Sequence, residues 1–269
     1  KGELLDMIRE ATDQRLFALY EFFQRNGSVD EAHQLSKIDK WFLHHVKNIA
    51  KFEKELKKVK KIGPELLRAA KQMGFGDKYI ANLRGESQEG IRKLRLKHNI
   101  TPVVKQIDTL AGEFPAQTNY LYLTYHGTEH DLRPTRKKPI IVLGSGPYCI
   151  GSSVEFDWCA VNTARTLQKY KEQTIIINSN PETVSTAYDE SDRLYFEELT
   201  LERVRDIADF EKSKGIIVSV GGQIANNLAP LLAKKGYTLL GTAAANIDRA
   251  ENRQKFSSLL VSIQVDQPI

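Results

Sequence analysis

The chain has 269 residues, 41% of them hydrophobic and 27% charged, with a formal net charge of +5. That balance is typical of a soluble globular protein with room for one large domain or two modest ones. The longest apolar runs are about five residues, against the roughly 20 a membrane helix needs, which excludes a helical membrane span. The opening Lys1-Gly2-Glu3 has neither a Met nor the features of a signal peptide, so the expectation is a piece of a longer polypeptide. Two cysteines, Cys149 and Cys159, are too few for a disulfide framework and lack a second metal-ligand pair, which points to a reducing, cytoplasmic setting. Residues 1–135 carry 23 Lys and Arg against 18 Asp and Glu, whereas residues 136–269 carry 16 of each. The basic excess belongs to the first half, so two domains are expected.

The first half reads as helical. Asp13 precedes Leu16, Phe17, Leu19, Tyr20 and Phe23, which recur with a helical period up to Gly27. Ser28 and Glu31 have capping-box spacing, each side chain able to satisfy a free backbone N–H. Ile38, Phe42, Val46, Ile49, Leu56 and Val59 then form one apolar stripe over a long helix. Lys57, Lys58, Lys60 and Lys61 close it, where cations suit the helix dipole. Gly63-Pro64 restarts the chain, since proline is accepted in a first helical turn.

The stretch KQMGFGDKYIANLRGESQEGIRKLRLKHNI (71–100) reads as two short helices around a Gly85 turn, the second carrying Arg92, Lys93, Arg95 and Lys97. This fits a helix-turn-helix with a basic recognition helix. The plainer reading is a packed helical hairpin with solvated charges. Residues 118–125 (TNYLYLTY) alternate as a half-buried strand does, and HGTEHDLRPTRKKP (126–139) is a polar, basic linker. His126 and His130 are four residues apart, but no helix aligns them as metal ligands, so exposed loop histidines are the simpler reading.

The second half alternates strand and helix. Short β-branched runs occupy Ile140–Leu143, Thr174–Asn178, Gly215–Val220 and Thr238–Leu240. Helical stretches at Ser153–Tyr170, Leu201–Lys212 and Gln223–Lys235 separate them. This order predicts βαβ units, a parallel sheet and ligands at the carboxyl ends of the strands. The turn GSGPYCIGSSVEFD (144–157) follows the first of these strands and invites comparison with a dinucleotide fingerprint. Gly144 and Gly146 fit G-x-G-x-x-G, but Gly151 is two positions late, and no acid stands at the tip of the next strand, Asn178-Ser179-Asn180-Pro181. Pro147 also removes a backbone N–H from the turn. These departures count against a nicotinamide or flavin site.

NSNPETVST (178–186) and VGGQIANNLA (220–229) are further tight turns at the same edge, and Gly221-Gly222 permits close approach or positive φ. Glu155, Asp157 and Glu182 therefore fall near the ends of neighbouring strands. Each carboxylate can complement a helix N-terminus, or all can converge on one polar lining; the sequence leaves both open.

Taken together, GSGPYCIGSSVEFDWCAV, NSNPETVSTAYDESDRLYFEELT, GGQIANNLA and GTAAANIDRAENRQKFSSLL resemble the large subunit or synthetase region of carbamoyl-phosphate synthase, at the start of its second synthetase half. SKIDKWFL, MGFGDKYIA, IRKLRLKHNI and VKQIDTLAGEFPAQTNYLYLTY resemble the helical domain before it. SSVEFDW and PAQTNYLYLTYHGTEHD are most similar to the eukaryotic multifunctional enzymes of pyrimidine synthesis.

The resemblance implies an α plus α/β chain. Residues 1–117 would be a helical oligomerisation domain, 118–138 a strand and linker, and 139–269 a Rossmann-like pre-ATP-grasp domain cut before the ATP-grasp elements. The family makes carbamoyl phosphate from bicarbonate, glutamine-derived ammonia and two ATP, for arginine or pyrimidine supply. No cofactor is implied for this segment; the parent would use ATP and Mg²⁺, with K⁺ as a further candidate. Implied partners are the remaining synthetase domains, a glutaminase subunit or domain and further copies of the chain, with no nucleic acid and no membrane. The segment alone is expected to be inactive, with no catalytic, nucleotide-binding or metal residues of its own. The resemblance places Ser153, Glu155 and Glu182 in the wall of the tunnel that carries carbamate between two ATP sites. Cys149 stands where many relatives have a basic or polar residue, so any polar role there is missing. Rival readings are a non-catalytic scaffold or helix-turn-helix module, and a Rossmann-type nucleotide-dependent oxidoreductase.

Overall fold

The computed structural model describes residues 2–115, 117–149 and 154–267, and the chain divides into two units, Lys1–Thr101 and Pro102–Ile269. The division falls before residues 102–117, which were expected in the helical domain but carry a strand of the sheet.

The first unit holds α1 (Gly2–Arg9), α2 (Arg15–Gln24), α3 (Val29–Ser36), α4 (Lys40–Lys58), α5 (Pro64–Gln72), α6 (Asp77–Arg84) and α7 (Gln88–Lys97). Ser28 caps α3 by accepting the Glu31 N–H at 3.0 Å, and Asp39 caps α4 through the Trp41 N–H at 2.7 Å. A Cβ on Gly27 would lie 2.1 Å from the Phe22 ring, so the turn between α2 and α3 closes only with glycine. Ile8, Leu19, Phe22, Phe23, Ala32, Leu43 and Ala50 form the core of α1 to α4. Of the stripe expected on α4, Leu56 is buried and Ile38 and Val46 pack against the core, but Leu43, Ala50 and Glu53 also face inward, while Phe42 and Ile49 are exposed, as are Leu16 and Phe17 on α2. The buried Glu53 carboxylate accepts the Tyr79 hydroxyl at 2.7 Å and pairs with Lys57 at 2.5 Å. Burial, then Glu53, pushes the Tyr79 phenol up to about 12. The end of α4 is held less by its own lysines than by Arg84, which donates to the carbonyls of Leu56, Val59 and Lys60.

A helical hairpin forms around Gly85, which takes a left-handed conformation at φ 66°. Two of the four basic residues on its second helix point away from any recognition surface. Arg92 and Arg95 are 3% and 0% exposed. The Arg95 Nε donates to both Asp77 oxygens at 3.2 Å, its Nη2 to one of them at 3.1 Å, and its Nη1 to the Ile100 carbonyl at 3.1 Å. Lys71 reaches the same carboxylate at 3.0 Å and donates to the Phe75 carbonyl at 2.8 Å. One buried carboxylate between two buried cations thus ties α5, α6 and α7 together.

The second unit is a seven-stranded sheet in the order β1-β2-β5-β4-β3-β6-β7. Its strands are β1 (Val103–Gln106), β2 (Tyr120–Thr124), β3 (Ile140–Leu143), β4 (Thr174–Asn178), β5 (Arg193–Phe196), β6 (Gly215–Ile217) and β7 (Leu239–Leu240). Among the described residues, the β1–β2 pair is antiparallel and the other pairs are parallel. Helices α8 (Val154–Lys169), α9 (Leu201–Glu211) and α10 (Gly222–Lys234) are the crossovers, and α11 (Ala244–Glu251) and α12 (Arg253–Ser262) follow β7. Successive strand residues face opposite sides. Val142, Ile176 and Leu194 pack on Ala160 and Ala164 of α8, whereas Ile141, Leu143, Ile175 and Ile177 join the cluster holding Val204, Ile207, Leu228 and Leu232 of α9 and α10. The central strands are buried on both faces, which is why they read as continuous apolar runs.

Sequence reading missed β1 and β5. Both are four residues long with polar or charged residues among them, and β5 follows the acidic stretch Asp189-Glu190-Ser191-Asp192. Residues 126–139 are also fastened rather than a free linker: the Thr135 N–H donates to Glu211 at 3.0 Å, and Arg193 donates to the Arg133 carbonyl at 2.8 Å. Glu211 is fully buried, pairs with Arg193 at 2.6 Å and accepts the Tyr195 hydroxyl, so burial and then Glu211 push the Tyr195 phenol well up.

Removing the carboxylate shared by Lys71 and Arg95 takes a buried counter-charge from two buried cations. Asp77→Ala is therefore expected to destabilise the first unit by about 3–5 kcal/mol, read by denaturant unfolding. A loss below about 1 kcal/mol would show that the two cations find other partners.

Candidate functional site at the carboxyl edge of the sheet

The strand order reverses at β3: the chain moves from β3 to β4 on one side and later returns to place β6 on the other. In open parallel sheets this switch point opens a crevice at the carboxyl ends of the strands. Three turns meet there: 144–149 after β3, 179–186 after β4, and 218–221 after β6.

Asn178, the last residue of β4, joins the first two turns and is fully buried. Its Oδ1 accepts the Gly146 N–H at 3.0 Å and the Ser179 N–H at 2.9 Å. Its Nδ2 donates to the hydroxyls of Thr183 and Ser185, each at 3.4 Å. Gly144 must be glycine for the same reason, since a Cβ there would lie 2.6 Å from Asn178 Cγ. Gly146 sits at φ 72°, in the left-handed region glycine tolerates. The third turn packs onto the first through backbone alone: a Cβ on Gly221 would lie 2.6 Å from the Gly144 carbonyl oxygen. Gly222, at φ 70°, lies under the Phe156 ring of α8.

The described start of the glycine turn, 144–149, is therefore closed on Asn178. The Gly146 N–H, which a pyrophosphate would need, is held by Asn178, and the glycines admit an amide side chain and a neighbouring backbone rather than a ligand. The departures from the dinucleotide pattern have a physical cause.

Asp157 and Glu155 lie in the first turn of α8 but have different surroundings. Asp157 is buried and accepts the Val184 N–H at 2.8 Å and the Ser185 N–H at 3.1 Å, capping the 3₁₀ turn Val184–Thr186. It is a fastener between α8 and the 179–186 turn. Desolvation and then the Asp157 charge push the phenol of the exposed Tyr148 up. Glu155 is exposed, and so is Glu182, whose backbone N–H donates to Asn180 Oδ1 at 3.0 Å. Asp157 thus brings the segments bearing Glu155 and Glu182 to one edge, with both side chains outward. Ser153 lies outside the described residues. Sequence reading passed over Asn178 as a mere absence of acid, although a polar residue ending an otherwise apolar strand was the available signal.

Among the described residues, no group of three or more His, Cys, Asp or Glu could hold a metal ion. The His126/His130 spacing has another explanation, because His130 Nδ1 accepts the Val104 N–H at 3.0 Å. Cys149, on the glycine turn, is a free, exposed thiol. No helix among the described residues is long and apolar enough to cross a membrane.

Comparison with known proteins agrees with this architecture. Residues 136–249 match the carbamoyl phosphate synthase preATP-grasp domain, and residues 1–99 match the oligomerisation domain of the carbamoyl-phosphate synthetase large chain. The mitochondrial carbamoyl-phosphate synthase (ammonia) of Aquarana catesbeiana is 51% identical over 97% of this chain and 17% of its own length. The carbamoyl phosphate synthase arginine-specific large chain of Cutaneotrichosporon cutaneum is 52% identical over 98% of this chain and 23% of its own. The multifunctional protein URA2 of Saccharomyces cerevisiae is 51% identical over 97% and 12%. The chain spans less than a quarter of each of these relatives, and their near-equal identities do not favour the pyrimidine-type resemblance over the others. With an oligomerisation domain followed by a preATP-grasp domain, the chain belongs to the carbamoyl-phosphate synthase large-chain family.

Proposed function

We propose that the chain works within a parent enzyme that makes carbamoyl phosphate from bicarbonate, glutamine-derived ammonia and two ATP. Its second unit forms part of the wall of a carbamate tunnel, lined by Ser153, Glu155 and Glu182. The observation that supports this most is the Asp157 bridge, which holds the segments bearing Glu155 and Glu182 at one edge with both carboxylates outward. Carboxylates accept hydrogen bonds from the carbamate amino group while repelling its anion. Such a lining guides without holding tightly, as a conduit requires. The parent is proposed to use ATP and Mg²⁺, with K⁺ a further candidate. The Gly146 N–H is engaged by Asn178, and no catalytic step is assigned to this segment alone.

The first unit is proposed to supply assembly contacts between copies of the chain. Trp41 and Phe42 are 63% and 57% exposed at the start of α4, with rings 4.9 Å apart, and Leu16 and Phe17 are exposed on α2, which packs against α4. The remaining synthetase domains and a glutaminase subunit or domain are the other proposed partners. A cytoplasmic setting is proposed on the two free cysteines; fractionation would distinguish it from the mitochondrial setting printed in the frog relative's name.

Two outcomes test these roles. In the full-length parent, Ser153→Phe is expected to lower carbamoyl phosphate synthesis at least about tenfold while first-site bicarbonate-dependent ATPase stays within about twofold. Undiminished synthesis would contradict the tunnel assignment. Trp41→Glu with Phe17→Glu is expected to shift the chain toward smaller species in sedimentation velocity, with unchanged helical circular dichroism. An unaltered sedimentation profile would remove this face from the assembly contact.

A further inference from the structure

The free edge of the sheet is occupied. β1 is an edge strand whose inner side pairs with β2 in the register Val103↔Thr124, Val104↔Leu123, Lys105↔Tyr122 and Gln106↔Leu121. In an antiparallel pair, alternate residues turn their N–H and C=O groups away from the partner. Here those residues are Val104 and Gln106, and the dipeptide His130-Asp131 meets them. His130 Nδ1 accepts the Val104 N–H at 3.0 Å, the Asp131 N–H donates to the Val104 carbonyl at 3.0 Å, and the Asp131 carboxylate accepts the Gln106 N–H at 3.0 Å. Lys105 grips the same carboxylate at 2.6 Å. The His130 ring stacks on Phe210 of α9 with centroids 4.4 Å apart.

We propose that His130-Asp131 is a plug on the sheet edge whose histidine half is proton-sensitive: it masks the Val104 N–H while His130 is neutral and uncovers it when His130 is protonated. The chemistry is in the direction of one hydrogen bond. Neutral His130, with its proton on Nε2, accepts the Val104 N–H; when Nδ1 takes a proton from water it becomes a donor and faces another donor. The charges around the ring act in the same direction or are already engaged. Lys105, on β1, opposes a positive imidazole; the Asp131 carboxylate is held by Lys105 and the Gln106 N–H; the contact from α9 is the uncharged Phe210 ring. Burial first and Lys105 second hold the His130 pKa below its ordinary 6.5. A histidine depressed in the fold contributes its full stability above the unfolded pKa and loses it as pH falls through the lower folded value. Protonation uncovers the Val104 N–H, one donor of the template for strand addition that folded proteins generally cover, while Asp131 keeps the Val104 carbonyl and the Gln106 N–H.

Amide exchange of the intact chain by NMR, as protection factors at pH 7.5 and pH 5.0, tests the plug. The Val104 amide is expected to lose protection by roughly two- to tenfold at the lower pH, the worth of one hydrogen bond. Ile141, in the centre of the sheet, should keep its protection. His130→Asn places an amide oxygen near the Nδ1 position and cannot titrate, so it should retain Val104 protection at both pH values. His130→Phe keeps the ring but removes the acceptor and should lower protection at both. Equal Val104 protection at the two pH values in the unmodified chain would overturn the proposal. So would a pH dependence that survives in His130→Asn, or an equal loss at Ile141, which would signal global unfolding.

Discussion

One buried amide sets the geometry of the carboxyl edge. Asn178 ends β4 where water cannot reach it, so its carbonyl oxygen and its NH₂ must both be satisfied by protein. Its partners are backbone N–H groups of the glycine turn and its own loop, and hydroxyls of the following loop. Gly144 and Gly146 are glycines because that side chain fills the space a Cβ would need and because the turn passes through positive φ. Gly221 then allows the turn after β6 to lie against the Gly144 carbonyl, and Asp157 fastens the start of α8 to the 3₁₀ turn. Glu155 and Glu182 take their places from this scaffold without having to build it. The edge therefore presents outward carboxylates on a rigid support, with its phosphate-like turn already filled.

The same logic of internally satisfied polar groups recurs elsewhere. In the first unit, Asp77 between Lys71 and Arg95 locks three short helices that have little apolar surface of their own. In the second, Glu211 gathers Arg193, Tyr195 and the Thr135 N–H, and His130-Asp131 covers the edge of β1. Each is a charged or polar group far in sequence from its partners.

That distance explains what could be read from the sequence. The α/β alternation and the central strands were legible, because strands buried on both faces are runs of Ile, Val and Leu and need no partner to be recognised. The Ser28 cap and the Gly85 turn were legible because their chemistry is local. The failed fingerprint was visible as spacing, but its cause, Asn178 folded back on Gly146 from 32 residues away, was not. β1 was missed because a four-residue edge strand has too few residues to show a period, and β5 because it opens on Arg193 straight after the acidic stretch 189–192. The face of α4 was misjudged because Phe42 and Leu43 are equally apolar; packing against α2, not hydrophobicity, selects Leu43. Arg95 read as solvated because burial of a guanidinium depends on Asp77, 18 residues earlier. At the candidate site, Glu155 and Glu182 were placed at one edge by topology alone, whereas the separate task of Asp157 became visible only through its hydrogen bonds.

The tunnel-wall proposal makes this edge a surface past which a small anion moves, not a pocket that holds a nucleotide. An experimental structure of the full-length parent, at a resolution that shows ordered water, tests it most directly. A continuous water-filled passage is expected, with the Glu155 and Glu182 carboxylates and the Ser153 hydroxyl on its surface and the Gly146 N–H still bonded to Asn178. Protein packed solidly against both carboxylates, or a nucleotide phosphate on the Gly146 N–H, would contradict it.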